Sequence, residues 1–262
     1  MTTPPAVEQI VIRKCAGTME FHACVNLQKE VWSFSDTDLV PMHLFVVAEE
    51  IGGQVIGAFD GSKMVGFVVS FPGARSYPSA PRSYLHSHML AVLQSYRNRD
   101  VGRRLKLAQR QDAIERGFEL IEWTFDPLEN KNAYLNIVKL GAIVRHYSVN
   151  HYGESSSPLH LGLPTDRIIA EWWLKSNRVT TLLESGKQPS FPLVKQINVP
   201  AQIYSWRTSE TDLPKAAAVL ERNREEFAQG FSQGLAVLGY ERDQAGHGSY
   251  LLGHWDENPS LV

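Results

Sequence analysis

Cysteine is scarce in this sequence, which has two, Cys15 and Cys24, among 262 residues. Two cysteines cannot form the disulfide framework of a small secreted fold, and these two do not have the spacing of a metal site. Scarce cysteine is typical of proteins from a reducing compartment. We therefore expect a cytoplasmic protein whose stability depends on a hydrophobic core.

Long apolar runs and an excess of one charge are missing as well. No apolar stretch approaches the ~20 residues that span a bilayer, and the first residues, MTTPPAVEQ, lack the basic and apolar regions of a signal peptide. The net charge of −2 argues against a general nucleic-acid binder, because such proteins are usually basic as a whole. We expect neither a membrane nor a nucleic acid as partner.

One stretch, residues 90–105, combines an apolar strand with a basic loop and a helix. The run 89–93 is apolar, and Val101, Leu105 and Ala108 then follow at helical spacing. The loop and first helical turn are rich in arginine: Arg97, Arg99, Arg103 and Arg104. Unpaired amides at a helix N-terminus, together with guanidinium groups, suit a phosphate or pyrophosphate.

This stretch resembles motif A of the GNAT acyltransferase superfamily, in which an apolar strand leads through Q/R-x-x-G-x-G/A into a helix. Arg97 and Gly102 match that pattern, while Asp100 stands where the family has its first glycine. The resemblance implies that acyl-CoA, with no metal, is bound here. The predicted binding residues are Leu90, Val92, Arg97, Asn98, Arg99, Asp100, Val101, Gly102 and Arg103. Asp100 either repels the pyrophosphate or caps the helix with its side chain, and we expect the cap.

The strand that leads into this loop carries two histidines. Alternation over residues 84–92 predicts that Tyr84, His86, His88, Leu90 and Val92 share one face. The resemblance places His86 where several GNAT members have a general-base carboxylate. We therefore expect His86, or else His88, to act as a catalytic base, and a structural histidine is the alternative. A metal site is not favoured, since no nearby cysteine or carboxylate completes a ligand set.

Residues 129–140, with Ala133, Ile137 and Leu140 on one face, are predicted as a helix that ends at Gly141, and this segment resembles GNAT motif B. Asn130, Ala133 and Gly141 fit the motif, but Ile137 occupies the position of the tyrosine that protonates the departing thiolate in many members. Tyr134 is then the candidate acid, with aromatic packing as the alternative. The candidates for contacts with the pantetheine arm are Asn130 and Asn132.

The order of predicted elements gives an α/β fold (α+β in some schemes), with a mixed, twisted sheet flanked by helices. Residues 72–81 are predicted as a loop because of their proline and glycine content. Two domains are expected: a GNAT-like domain over 1–176 and a C-terminal annex over 177–262. In the annex we expect a strand at 199–206, a helix that begins after Asp212, and two short strands. The annex either shapes the acceptor site or mediates a homodimer.

Taken whole, the chain resembles a bacterial GNAT subgroup with a C-terminal extension. The resemblance implies an N-acyltransferase that moves an acetyl or other short acyl group, such as succinyl, from acyl-CoA to a small-molecule amine such as an amino acid. The resemblance places the loop 34–41 over the acceptor site, so Trp32, Phe34, Asp36 and Asp38 are candidates to contact the acceptor; a solvated loop with a buried tryptophan is the alternative. Candidates to recognise a carboxylate, on the acceptor or on a succinyl-type donor, are Arg75, Arg82 and Arg145, with ordinary surface arginines as the alternative. The alternative is a degenerate module that binds CoA or a protein partner without chemistry, as Asp100 and Ile137 would suggest.

Overall fold

A computed structural model describes residues 9–76, 81–153 and 162–256 of the chain. It divides into two compact units: the first reaches to Glu122 and the second begins at Trp123. The predicted boundary at residue 176 falls inside the second unit, so the proposed division into 1–176 and 177–262 stays a prediction.

The first unit is a mixed sheet with three helices. Its strands are β1 (Ile10–Lys14), β2 (Gln54–Asp60), β3 (Lys63–Ser76), β4 (Pro81–Val92) and the first half of β5 (Leu120–Phe125). Its helices are α1 (Gly17–Trp32), α2 (Met42–Glu50) and α3 (Val101–Glu115). The strand order is β1-β2-β3-β4-β5. Neighbours from β1 to β4 are antiparallel, while β4 and β5 are parallel.

Helices cover both faces of this sheet. On one face the ring of Phe67 in β3 lies 5.8 Å from that of Phe45 in α2, which lies 6.3 Å from that of Phe21 in α1. On the other face, a Cβ at Gly66 would lie 3.3 Å from Leu105 of α3. Neighbouring residues of a strand point to opposite faces, so α1 and α2 lie on one side and α3 on the other.

The strands of the second unit lie in the order β5-β7-β6-β9-β10-β8. Its further strands are β6 (Ile143–Ser148), β7 (Arg167–Trp173), β8 (Lys195–Val199), β9 (Leu235–Arg242) and β10 (Gly248–His254). Its helical elements are α4 (Asn130–Ala133), a π-helix (Tyr134–Lys139), α5 (Asn177–Ser185), α6 (Ile203–Trp206) and α7 (Leu213–Ser232). The ring of Phe227 in α7 packs against Tyr147 of β6 and Tyr250 of β10.

The predicted α/β class, a mixed, twisted sheet flanked by helices, is confirmed. Strands β9 and β10 and helix α7, predicted for the C-terminal region, are present as well. Among the described helices, none has the length and apolar character needed to cross a membrane.

Two predicted segments differ from the structure. Residues 72–76, predicted as loop, continue β3, with Pro72 opposite Leu85. Strand β2 pairs with β3 only as far as Ser70, so the missing amide of Pro72 costs no bond on that side. The strand predicted over 199–206 ends at Val199, and helix α6 follows, because Pro200 accepts a turn bond from the Ile203 amide.

Candidate active site

Strand β4 contains a β-bulge at His88. Val69 of β3 lies opposite Met89, whereas the next residue, Ser70, lies opposite Ser87. His88 therefore has no residue opposite it, which locally bends and twists the strand. Just before this point, at Leu85 and His86, β4 pairs in parallel with β5.

The bulge changes which side chains share a face, so the predicted alternation is wrong beyond His88. Ser87 accepts a bond from Lys106 of α3, and Leu90 lies 3.6 Å from where a Cβ of Gly102 in α3 would stand. Residues three apart in a regular strand point to opposite faces, yet both of these face α3. Leu90 and Val92, which meets the same Cβ position at 3.9 Å, thus lie on the α3 side.

The two histidines remain together on the other face. Their rings lie 6.1 Å apart, and His88 also meets the ring of Phe71 edge-on at 5.8 Å. Desolvation by the surrounding protein lowers the pKa of His88. The lowered pKa keeps this imidazole in its neutral form at neutral pH, the form that can accept a proton from a substrate.

A buried carboxylate that sequence reasoning missed lies next to His86. Glu122 of β5 stands in register with His86, is 2% exposed, and forms an ion pair with Arg75 at 2.8 Å. Arg75 in turn lies over the ring of Tyr84. The parallel register that brings Glu122 beside His86 was not readable from the sequence.

The loop between β4 and α3 presents backbone amides at a helix N-terminus. The first helical bond of α3 runs from the Arg104 amide to the Asp100 carbonyl at 2.9 Å. The amides of Val101, Gly102 and Arg103 precede that bond and have no helical acceptor. Asn98 and Asp100 both have positive φ, 60° and 59°, which turns the chain sharply into the helix. This arrangement suits an anion.

Asp100 occupies the N-cap position but does not cap the helix with its side chain. No side-chain cap bond forms; instead the carboxylate accepts a 3.3 Å bond from Arg103. The predicted cap is therefore wrong. The left-handed conformation of Asp100 is the physical reason, because a capping residue normally needs an extended backbone to reach the amides ahead of it. It also explains why glycine suits this position.

The four arginines around the loop have different bonding partners. Arg97 bonds the Val92 carbonyl and Gln94, and Arg99 lies 5.7 Å from the ring centre of Tyr96. Arg104 points away from the loop and donates to the Ile10 carbonyl at 2.7 Å, so it anchors β1. Arg97, Arg99 and Arg103 remain the side chains beside the loop.

Asn130 belongs to the second unit, where its side chain is fully buried. Its Oδ1 accepts a 2.7 Å bond from Tyr240, and its Nδ2 donates to the Gly246 carbonyl at 3.4 Å. These contacts favour a structural role for the Asn130 side chain over the predicted ligand contact.

Asn132 and Tyr134 are both exposed, at the end of α4 and the start of the π-helix. Ile137 is fully buried. Two side chains from beyond residue 176 donate to carbonyls in this helix and just after it: Gln188 to the Val138 carbonyl and Arg178 to the Gly141 carbonyl at 3.0 Å. Single π-helical turns are frequent at functional sites.

The arginines suggested for carboxylate recognition all have acidic partners. Besides the Arg75 pair, Arg82 binds Glu119, and Arg145 binds the buried Glu171 with two bonds. In the acceptor-side loop predicted from the sequence, Trp32 stacks on Phe34 at 5.4 Å and Asp36 pairs with Lys29.

Solved structures share this fold. The yncA protein from Salmonella typhimurium, solved with its cofactor acetyl-CoA, is 16% identical, and the match covers 64% of this chain and 96% of that one with a TM-score of 0.51. The protein smu.2055 from Streptococcus mutans UA159 is also 16% identical, with 63% and 99% covered and a TM-score of 0.50. At such identities the likeness shows the fold alone.

The sequence comparisons point to one family. No significant match was found among curated proteins. Residues 20–141 match the model of the acetyltransferase (GNAT) family, which spans β4, the arginine-rich loop, α3 and the π-helix. This segment, just under half of the chain, is thus similar to the GNAT acetyltransferase family.

Proposed function

We propose that the chain is an acyl-CoA-dependent N-acyltransferase that transfers an acetyl or other short acyl group to the amine of a small molecule. The observation that carries this proposal is the helix N-terminus at Gly102, directly after a strand that presents two imidazoles. An anion site on this strand–loop–helix segment suits the pyrophosphate of acyl-CoA, and the imidazoles beside it suit removal of a proton from the attacking amine.

The loop fits a pyrophosphate. The three amides of Val101, Gly102 and Arg103 would bind it, and Arg97 and Arg99 would add charge. The carboxylate of Asp100 is bonded to Arg103, which reduces its repulsion of an anion. Acyl-CoA, when bound here, supplies the activated acyl group. We further propose that bound acyl-CoA is contacted by the backbone of Leu90 and Val92 and by the side chains of Asn98, Asn132 and Tyr134.

A protein base must take a proton from the acceptor, because an amine with a pKa near ~10 arrives as an ammonium ion. His86 is our first candidate and His88 the second, directly or through water. Glu122, in register with His86, would orient the imidazole and stabilise its charged form. Tyr134 is the candidate to protonate the departing thiolate, since the buried Ile137 cannot.

The alternative is a module that binds CoA without chemistry. Its support is the absence of the family's tyrosine at Ile137, together with Asp100 in the loop. The paired imidazoles speak against it, because a module that only binds CoA needs no proton acceptor on β4. Turnover with acetyl-CoA and a panel of amino acids, polyamines and peptides distinguishes the two: CoA binding without thiol release from any of them would favour the module.

A charge test at Gly102 examines the anion site itself. A Cβ at Gly102 meets Leu90 and Val92 at ordinary contact distances, 3.6 and 3.9 Å, so Gly102→Asp and the uncharged Gly102→Asn should both fold. An acidic residue in the first turn of a helix is if anything stabilising. We expect Gly102→Asp to weaken CoA binding about tenfold or more relative to Gly102→Asn, with a gap that narrows as salt is added. Equal affinities in calorimetry would contradict binding at this loop.

A further inference from the structure

A buried polar cluster lies on the α3 side of the sheet, opposite the histidines. Lys106 of α3 is 3% exposed, and its Nζ donates to Ser87 Oγ and to Gln109 Oε1, each at 2.9 Å. Gln54 Nε2 donates to the Gln109 carbonyl, and Ser70 Oγ donates to Gln54 Oε1. The cluster thus joins α3 to β2, β3 and β4.

Ser87 places this cluster at the bulge. It is the last residue of β4 before His88, and it lies opposite Ser70. His86 and His88 flank Ser87 in sequence and point to the other face. A hydrogen bond that fixes the Ser87 side chain therefore also fixes the backbone between His86 and His88.

The burial of these polar groups reduces the stability of the fold. Burial lowers the pKa of Lys106 well below its ordinary value, as expected when an ammonium ion is removed from water. Gln109 Nε2 is buried with no hydrogen-bond partner among the described residues, and an unsatisfied buried donor is unfavourable. Apolar side chains of similar volume would often be neutral or stabilising in such a position.

We propose that Lys106 is a positioning residue of the reaction, which holds Ser87 and with it the β4 bulge that presents His86 and His88. This inference rests on the proposed function. It explains why a lysine occupies a core position that a methionine could fill without the desolvation of an ammonium ion. A lysine with a purely structural role would instead lower the stability of the protein when removed.

The test uses Lys106→Met in the full-length chain, with Gln111→Met, an exposed residue of the same helix, as matched control. We expect an unchanged or higher melting temperature and unchanged CoA affinity. We expect kcat to fall on the order of tenfold, less than the 10²-fold that a 1 Å misplacement can cost. Titration of the imidazoles by NMR, with His86→Gln and His88→Gln to assign the signals, should show shifted midpoints for these two residues.

Ser87→Ala is the second variant, since it removes only the hydroxyl that Lys106 binds. It should shift the same two titrations, and the double variant should add little to either single change. Unaltered titrations of both histidines in Ser87→Ala, or in folded Lys106→Met, would overturn the proposal. The NMR result does not depend on turnover, so a parent protein without transferase activity would defeat the proposed function and leave the positioning test intact.

Discussion

The hydroxyl of Tyr240 donates a 2.7 Å hydrogen bond to Oδ1 of Asn130. Tyr240 lies in β9, beyond the segment that matches the family model, and Asn130 begins α4, within it. Gly248 of β10 passes so close that a Cβ there would lie 2.7 Å from Asn130 Oδ1. The C-terminal strands therefore close directly over the start of the motif B helix.

Tyr240→Phe should reduce the free energy of unfolding by about 1–3 kcal/mol, because it leaves the buried Asn130 oxygen without its donor. Tyr152→Phe is the control: it also loses one hydroxyl bond, to Thr124, but at an exposed position, and should change stability by less than about 0.5 kcal/mol. Urea unfolding measures both. Equal effects of the two substitutions would contradict a structural role for the Asn130–Tyr240 bond.

A chain that ends after Ser176 should not fold in residues 130–141. It would lose the donors that Arg178 and Gln188 provide to the carbonyls of Gly141 and Val138, and buried carbonyls without partners are unfavourable. Amide hydrogen exchange should show protection in β2 and β3 but not in the π-helix. Full protection of the π-helix in the short chain would instead support the predicted domain boundary at residue 176.

Asp100→Gly should leave the protein as stable as the parent, or up to about 1 kcal/mol more stable, because glycine adopts the positive φ of this position without strain. It should also tighten CoA binding at low salt, since a carboxylate is removed and Arg103 is released. Thermal unfolding and calorimetry test both effects. A loss of stability would indicate that the Asp100 side chain supports the helix after all.

His86→Gln should reduce turnover by about two orders of magnitude, the lower end for a lost general base, with CoA affinity unchanged. Glutamine keeps a polar side chain but cannot take the proton.

The lowered pKa of His88 means that this imidazole loses its proton at a lower pH than usual. If His88 is the base, activity should persist further into the acid range, and His88→Gln should abolish that acid-range activity.

Lys106 should make stability depend on pH in the alkaline range. Its pKa is lowered in the folded protein, whereas in the unfolded chain it is about 10.4. At pH values between these two pKa values the unfolded state binds more protons than the folded state, so the stability of the parent rises with pH. Lys106→Met lacks this dependence, and the stability of the parent relative to the variant should rise from pH 7 towards about pH 10. A constant difference in urea unfolding would show that Lys106 is protonated in the folded state.

The sequence determined the local elements of the site. The apolar run 89–93, the basic loop and the spacing of Val101 and Leu105 are local patterns, and β4 and α3 follow them. The spacing of Ala133, Ile137 and Leu140 likewise predicted a helix, where the structure has α4 and the π-helix. Such features depend on residues that are near in the chain, so periodicity and turn chemistry are enough to find them.

Tertiary structure alone decided the register and the long-range contacts. A strand pattern does not reveal one extra residue such as His88, and a shift by one residue moves the following side chains to the other face. Glu122 comes beside His86, and Lys106 reaches Ser87, only through pairing and packing between separate elements. The burial of Asn130 under Tyr240 joins residues 110 positions apart, and no local pattern encodes a contact over that distance.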